Sequence, residues 1–157
     1  MIKICVFSDS HGSPEGMITA LEKEKPALYF FLGDGERDLE RVRERFPDLP
    51  YYAVRGNCDL RSALSGSLCC TVGGVGIFAA HGHLYDVKYE PELESLAAAA
   101  REAGACLALF GHTHRACLES RRGITFLNPG TIGRTAHPGY AVLYAEGGRF
   151  TAELRRL

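Results

Sequence analysis

Apolar and polar positions along the chain fall into two regimes. In the first, short apolar runs alternate with charged stretches of helical spacing. Ile2–Phe7, Ala27–Leu32 and Tyr51–Val54 are rich in β-branched and aromatic residues and carry almost no charge. Runs of this kind predict strands buried on both faces. Ser13-Pro14-Glu15 predicts a helix start, with a Ser cap, Pro at the first helical position and an early acid, and the helix should end near Glu24. Glu36–Phe46 places Leu39, Val42 and Phe46 on one face of a second helix.

Beyond Val54 the pattern becomes one of paired strands. Leu68–Val72 and Val75–Ala80 flank Gly73-Gly74, and Ala116–Ser120 and Ile124–Leu127 flank a turn at Arg122-Gly123. Tyr140–Tyr144 and Arg149–Leu154 flank Gly147-Gly148. Each is a hairpin signal. Between the first two hairpins, Glu90–Ala103 contains an Ala-rich helix stopped by Gly104, and Cys106–Phe110 is a further strand. A β-α-β-α-β half followed by hairpins predicts an α/β protein with mixed sheets and helices outside.

The bulk properties narrow the classes without choosing one. At 157 residues the chain fits a single domain, 1–157, with one sizeable core. A formal net charge of −1 gives no global field toward nucleic acid or acidic lipid, so any anion site must be local. No apolar run approaches the roughly 20 residues needed to span a bilayer, and no signal-peptide pattern opens the chain. A cytoplasmic location is expected, with no membrane partner. The six cysteines form no CxxC pair, which argues against a zinc ribbon or thioredoxin motif. Cys5, Cys69, Cys70 and Cys106 lie in apolar runs and are expected to be reduced packing residues.

The ends of the apolar runs carry the chemistry. Ile2–Phe7 leads into Ser8-Asp9-Ser10-His11, Ala27–Leu32 into Gly33-Asp34, and Tyr51–Val54 through Arg55 into Gly56-Asn57-Cys58-Asp59. Val75–Ala80 leads into His81-Gly82-His83, and Cys106–Phe110 into Gly111-His112-Thr113-His114. Open α/β folds collect ligands beyond the carboxyl ends of their strands. Any one of these motifs is a common turn signal; five in succession, holding five of the six histidines, are not. Two carboxylates, one amide and several imidazoles suit Mn²⁺, Fe²⁺, Zn²⁺ or Ni²⁺ better than Ca²⁺. The set Asp9, His11, Asp34, Asn57, His81, His112 and His114 exceeds what one ion needs, and two ions sharing a carboxylate fit better.

These five blocks resemble those of the calcineurin-like metallophosphoesterase superfamily, and Asn57-Cys58-Asp59 with the short length resembles its small bacterial and archaeal phosphodiesterases. The resemblance runs from the first strand to at least Asn128-Pro129-Gly130-Thr131. It implies a two-sheet mixed sandwich flanked by helices, in four layers. It implies that Asp9, His11 and His114 hold one divalent ion, that Asn57, His81 and His112 hold the other, and that Asp34 bridges them. It implies hydrolysis of small phosphodiesters by a bridging water or hydroxide, with Mn²⁺ the expected metal, and catalytic roles for Asn57, Cys58, His81 and His83.

One departure stands out. Much of the superfamily has His after the Asn, as general acid or phosphate contact; here it is Cys58, either a thiol donor or a small polar filler. His83 could contact substrate, orient a ligand or be a plain loop residue, and Arg134 could clamp a phosphate or be solvated. His137 carries no assignment. Leu60–Ser67 is too short for a cap, which predicts a shallow, open site. Two alternatives stay in view. One is a non-catalytic scaffold resembling the phosphoesterase-like subunit of retromer. The other is a nuclease, disfavoured by the neutral charge and the absence of a basic stripe for extended nucleic acid. A homo-oligomer, dimer or tetramer, is a further expectation.

Overall fold

A computed structural model describes all residues, 1–157. The chain runs β1 (Ile2–Phe7), α1 (Glu15–Glu24), β2 (Leu28–Phe31), α2 (Glu36–Arg45), β3 (Tyr51–Ala53), β4 (Ser67–Val72), β5 (Val75–Ala80), a 3₁₀ turn at His83–Tyr85, α3 (Glu94–Glu102), β6 (Leu107–Leu109), β7 (Cys117–Arg121), β8 (Ile124–Asn128), β9 (Gly139–Glu146) and β10 (Arg149–Arg156). These strands form two five-stranded mixed sheets, ordered β10-β9-β1-β2-β3 and β4-β5-β6-β8-β7.

Side-chain alternation turns the two sheets into four layers. Along β1, Ile4 and Val6 enter the inter-sheet core, while Cys5 and Phe7 join the core under the first helices. Along β5 and β6, Val75, Ile77, Ala79, Leu107 and Leu109 face the inter-sheet core, whereas Phe78, Ala80 and Ala108 pack with Leu96 and Ala100 of α3. Each central strand is therefore buried on both faces, which is why its sequence is a continuous apolar run. The expected sandwich with helices outside is what the chain forms. No helix is long and apolar enough to cross a membrane.

Several local expectations need correction. Ser13 does not cap α1: its hydroxyl donates to Glu15 Oε2 at 2.9 Å, and Pro14 is the boundary residue. The helix expected within Glu90–Ala103 forms as α3, and its first residue is Glu94. Pro91 disfavours helical geometry at the residue before it. Glu90 instead caps α3 from outside, its carboxylate accepting the Ser95 N–H at 3.1 Å and the Ser95 hydroxyl. Of the four cysteines assigned to the core, only Cys5 is buried; Cys69 and Cys106 are exposed and Cys70 is half-buried. β4 is an edge strand, so Leu68 and Cys70 face the core and Cys69 faces out. Cys106 precedes its strand instead of lying within it. All six cysteines are free.

Candidate metal centre

Six of the seven predicted donors, Asp9, His11, Asp34, His81, His112 and His114, converge beyond the carboxyl ends of β1, β2, β5 and β6. Asp9 Oδ1, His11 Nε2 and His114 Nε2 form a near-equilateral triangle. Asp9 Oδ1 lies 3.4 Å from His11 Nε2 and 3.1 Å from His114 Nε2, and the two nitrogens are 3.2 Å apart. Metal–nitrogen bonds of about 2.1 Å put adjacent ligand atoms roughly 3.0–3.4 Å apart in tetrahedral or octahedral coordination. Beside this triangle, Asp34, His81 and His112 form a second donor group. Asp34 Oδ2 lies 3.2 Å from His81 Nε2 and 3.7 Å from His11 Nε2, so it stands between the two groups.

Lone pairs are left free where an ion would sit. Asp9 is fully buried; its Oδ2 accepts from the Ser8 hydroxyl at 2.5 Å and the His112 N–H at 3.1 Å, while Oδ1 has no hydrogen-bond partner. His81 is also fully buried, and its Nδ1 lies 2.7 Å from the Leu32 carbonyl. That bond makes Nδ1 the protonated nitrogen and leaves Nε2 as a lone pair without a hydrogen-bond partner. Unpartnered buried polar atoms are costly, and a cation at both positions removes the cost. The donor set fits divalent cations of the Mn²⁺ to Zn²⁺ series.

The electrostatics describe the same field. Burial opposes ionisation of Asp34, but contact with His81 and the Cys58 N–H outweighs it and holds the carboxyl well below its usual range. Burial lowers the His81 pKa, yet Asp34 and Asp9 together raise it above the ordinary value. Burial, then the charges of His81 and Lys88, push His112 down to about 4. His83 is also lowered, by burial and then by His81. Buried Asp9 and Asp34 supply negative charge, and the lowered His112 and His83 stay neutral, the form of imidazole that coordinates a cation.

The rim differs from the floor. The side chains of His11 and His114 are 38% and 47% exposed, so the centre opens to solvent, as the short Leu60–Ser67 segment implies. Asn57 and Cys58 are exposed at its edge. The Asn57 amide nitrogen lies 3.5 Å from Cys58 Sγ, and the Cys58 N–H donates to Asp34 Oδ1 at 2.8 Å. Cys58 Sγ also forms a donor group with His11 and Asp34. His83 sits behind the second group, its ring centroid 5.5 Å from that of His81 and 6.1 Å from that of His112. Arg134 is exposed and forms no ion pair.

Several residues that sequence reasoning left without a role hold the centre in shape. Asp59 accepts four backbone N–H groups: Oδ1 from Gly35 at 2.9 Å and Glu36 at 3.0 Å, Oδ2 from Asp34 and Gly56 at 2.8 Å each. Asp38 Oδ2 accepts from the Ser10 hydroxyl at 2.5 Å and Gly12 N–H at 2.8 Å. Asn128 donates to the Gly111 carbonyl and to Thr113 Oγ1, both at 3.0 Å, and Thr131 Oγ1 donates to the Asp9 carbonyl at 2.6 Å. Gly56 is obligatory for a different reason. A Cβ there would lie 2.5 Å from the Asp34 amide nitrogen and closer still to its carboxylate.

Residues 2–148 match the family model of the calcineurin-like phosphoesterase superfamily domain. The chain belongs to that superfamily. It is 35% identical over 132 residues to the probable metallophosphoesterase YsnB of Bacillus subtilis, covering 83% of this chain and 75% of that one. Among solved structures it is similar to a predicted phosphoesterase of Streptococcus pneumoniae, with 26% identity, 98% of each chain covered and a TM-score of 0.76. It shares its fold with Vps29 of Entamoeba histolytica solved with Zn²⁺, at 20% identity, 99% of each chain and a TM-score of 0.76. Membership in a metal-dependent superfamily agrees with the donor groups around Asp9 and Asp34.

Proposed function

We propose that the protein is a phosphodiesterase acting on small substrates with two divalent cations, Mn²⁺ the expected working metal and Ni²⁺, Zn²⁺ or Fe²⁺ able to replace it. The observation that carries this reading is the pair of free, fully buried lone pairs on Asp9 Oδ1 and His81 Nε2, one in each donor group. When bound, such ions lower the pKa of a shared water and offset charge on phosphoryl oxygens.

The chain's own residues set the rest. Asp9, His11 and His114 would hold one cation and Asn57, His81 and His112 the other. Asp34 would reach both, through the oxygen that lies between His11 and His81. The Leu32 carbonyl fixes the His81 tautomer. Ser8 and the His112 N–H fix the Asp9 carboxylate so that one oxygen faces inward. At the rim Cys58 stands beside Asp34, and its thiol is a weaker acid than an imidazolium. Protonation of the leaving group is therefore weak, which favours esters of acidic alcohols and phenols. The His83 ring lies 5.5 Å from that of His81 and 6.1 Å from that of His112, a place suited to orienting them.

The alternative is a non-catalytic scaffold built on the same fold, which Vps29 shares. Hydrolysis separates the two. Protein stripped with a chelator should cleave neither bis(p-nitrophenyl) phosphate nor p-nitrophenyl phosphate. Added Mn²⁺ or Ni²⁺ should restore cleavage, faster on the diester. Metal uptake without hydrolysis of either ester would favour the scaffold. Across substituted phenyl diesters, kcat/KM should fall steeply with rising leaving-group pKa, and less steeply in Cys58→His; a flat wild-type dependence with chemistry rate-limiting would refute the weak-acid role.

A further inference from the structure

Two clefts flank the donor cluster, and their walls carry opposite charge. One, of about 550 Å³, is bounded by His11, Asp34 and Cys58 and runs along the start of α2, where Glu36, Asp38 and Glu40 with Asp34 and Asp59 outnumber Arg37 and Arg61. The other, of about 360 Å³, begins at His114 and is bounded by Thr131, His137, Leu154, Arg155 and Arg156, with no carboxylate in its wall.

The alternation of β10 explains the second wall. Arg155 faces α1, where its guanidinium meets both oxygens of the buried Glu24 at 2.7 Å, and Glu153 at 2.6 Å. Its charge is spent there. Arg156 lies on the opposite face with Leu154, and its only polar side-chain contact is His137 Nδ1 at 3.3 Å. Opposite Arg156 in the β9–β10 register stands Gly139, so no cross-strand side chain covers the guanidinium. An uncompensated cation at the mouth of a cleft attracts anions, and guanidinium binds phosphate oxygens in a two-point fork.

We propose that this cleft is a second anion subsite of the centre: it takes a terminal phosphate on one ester arm of the substrate, held by Arg156 and His137. The substrate class is then a small diester in which one alcohol carries a further phosphate. The proposal rests on the hydrolytic reading above. The opposite cleft is net acidic, five carboxylates against Arg37 and Arg61, and disfavours such a group, so the two arms are told apart and the unphosphorylated arm lies on the Cys58 side.

The test uses p-nitrophenyl phosphodiesters whose second arm is ethyl, 2-phosphoethyl or 2-ammonioethyl. On metal-loaded wild type the KM of the phosphoethyl ester should lie about tenfold below that of the ethyl ester, the size of one charge-assisted contact. In Arg156→Ala that ratio should fall toward one, and the ammonioethyl ester should gain nothing in either protein. A wild-type ratio of one, or a ratio that survives in Arg156→Ala and Arg156→Gln, overturns the subsite. In parallel, metal-free protein is titrated with inorganic phosphate while the His137 ring is followed by NMR. A saturable His137 shift, lost in Arg156→Ala, supports the subsite, and no shift overturns it. Should none of the esters be cleaved, the hydrolytic reading fails and the His137 titration decides the subsite by itself.

Discussion

Asp59→Asn should disable the centre although Asp59 touches none of the proposed ions. Its two oxygens each accept two backbone N–H groups, from Asp34, Gly35, Glu36 and Gly56, at 2.8–3.0 Å. An amide keeps one oxygen and replaces the other with an NH₂ donor. Whichever way it turns, two backbone donors lose their acceptor and face another donor. A hydrogen bond to a charged group contributes about 1.5–3 kcal/mol. The two losses sum to at least about 3 kcal/mol, within a typical domain stability of about 5–15 kcal/mol. In urea, a slope near ~2 kcal/mol/M turns that into a midpoint lowered by about 1.5 M. The same donors flank Asp34, so affinity for the ion it helps hold should drop about 10–100-fold. Urea unfolding of the metal-free variant reads the first effect, and metal titration by calorimetry reads the second. A variant within about 1 kcal/mol of wild type and with unchanged metal affinity would refute the clamp.

Asp34→Asn should lose more kcat/KM on an activated aryl diester than Cys58→Ser. The carboxylate faces both donor groups, whereas a single proton donor contributes typically about 10²–10⁴-fold; equal losses would contradict this division. Glu24 links α1 to Lys3 at 2.7 Å, Tyr140 at 2.7 Å and Arg155 at 2.7 Å. Burial disfavours its charge, but those bonds prevail and lower its pKa to about 2 from 4.5. A carboxylate depressed in the folded state stabilises above its unfolded pKa and loses that contribution as pH falls through the folded one. The contribution is at most about 3 kcal/mol, reduced by the partial exposure of Lys3 and Arg155. The gap in urea midpoint between wild type and Glu24→Gln should therefore be wide near about pH 7 and narrow toward about pH 2. A gap independent of pH would contradict the ion cluster.

The strands that matter most were legible because a strand buried on both faces leaves a continuous apolar run, and the fold brings Asp9, Asp34, His81 and His112 at their ends near one another. Edge positions were not. Cys69 lies in an apolar run, but β4 has a neighbour on one side only, and the outward face of such a strand accepts any residue. Asp59 and Asp38 were invisible as positioning residues for a related reason. Apart from the Ser10 hydroxyl on Asp38, their partners are backbone N–H groups from segments 23 to 26 residues away, joined only once the sheet has formed. For Asp59 this holds except for Gly56, which is three residues away. The helix within Glu90–Ala103 was legible but its first residue was not, because Glu90 acts across a proline, a cap that no local spacing rule contains.

The backbone at the centre adds a constraint that composition does not show. Asp9, His11, Asp34, His112 and His114 all have positive φ, between 43° and 67°. Non-glycine residues held there cost about 1–3 kcal/mol unless their surroundings impose it. The surroundings do: Thr131 bonds the Asp9 carbonyl, Asp38 the Gly12 N–H, Asp59 the Asp34 N–H and Asn128 the Gly111 carbonyl, each at or beside a strained position. His114 tests what that strain serves. It is half exposed, so little packing depends on it, and its Nε2 faces that of His11 at 3.2 Å. Asn tolerates left-handed backbone, and what it removes is one exposed nitrogen–nitrogen contact whose donor is set by the ring tautomer. His114→Asn should leave metal-free protein as stable as wild type, or more stable by up to about 1 kcal/mol. With metal in hundredfold excess over Kd, wild type gains about 2.7 kcal/mol and the variant much less. The order of stabilities should then be reversed by metal, as read from urea midpoints with and without Mn²⁺. A variant less stable than wild type in both states by the same amount would mean that His114 is held for packing, not for an ion.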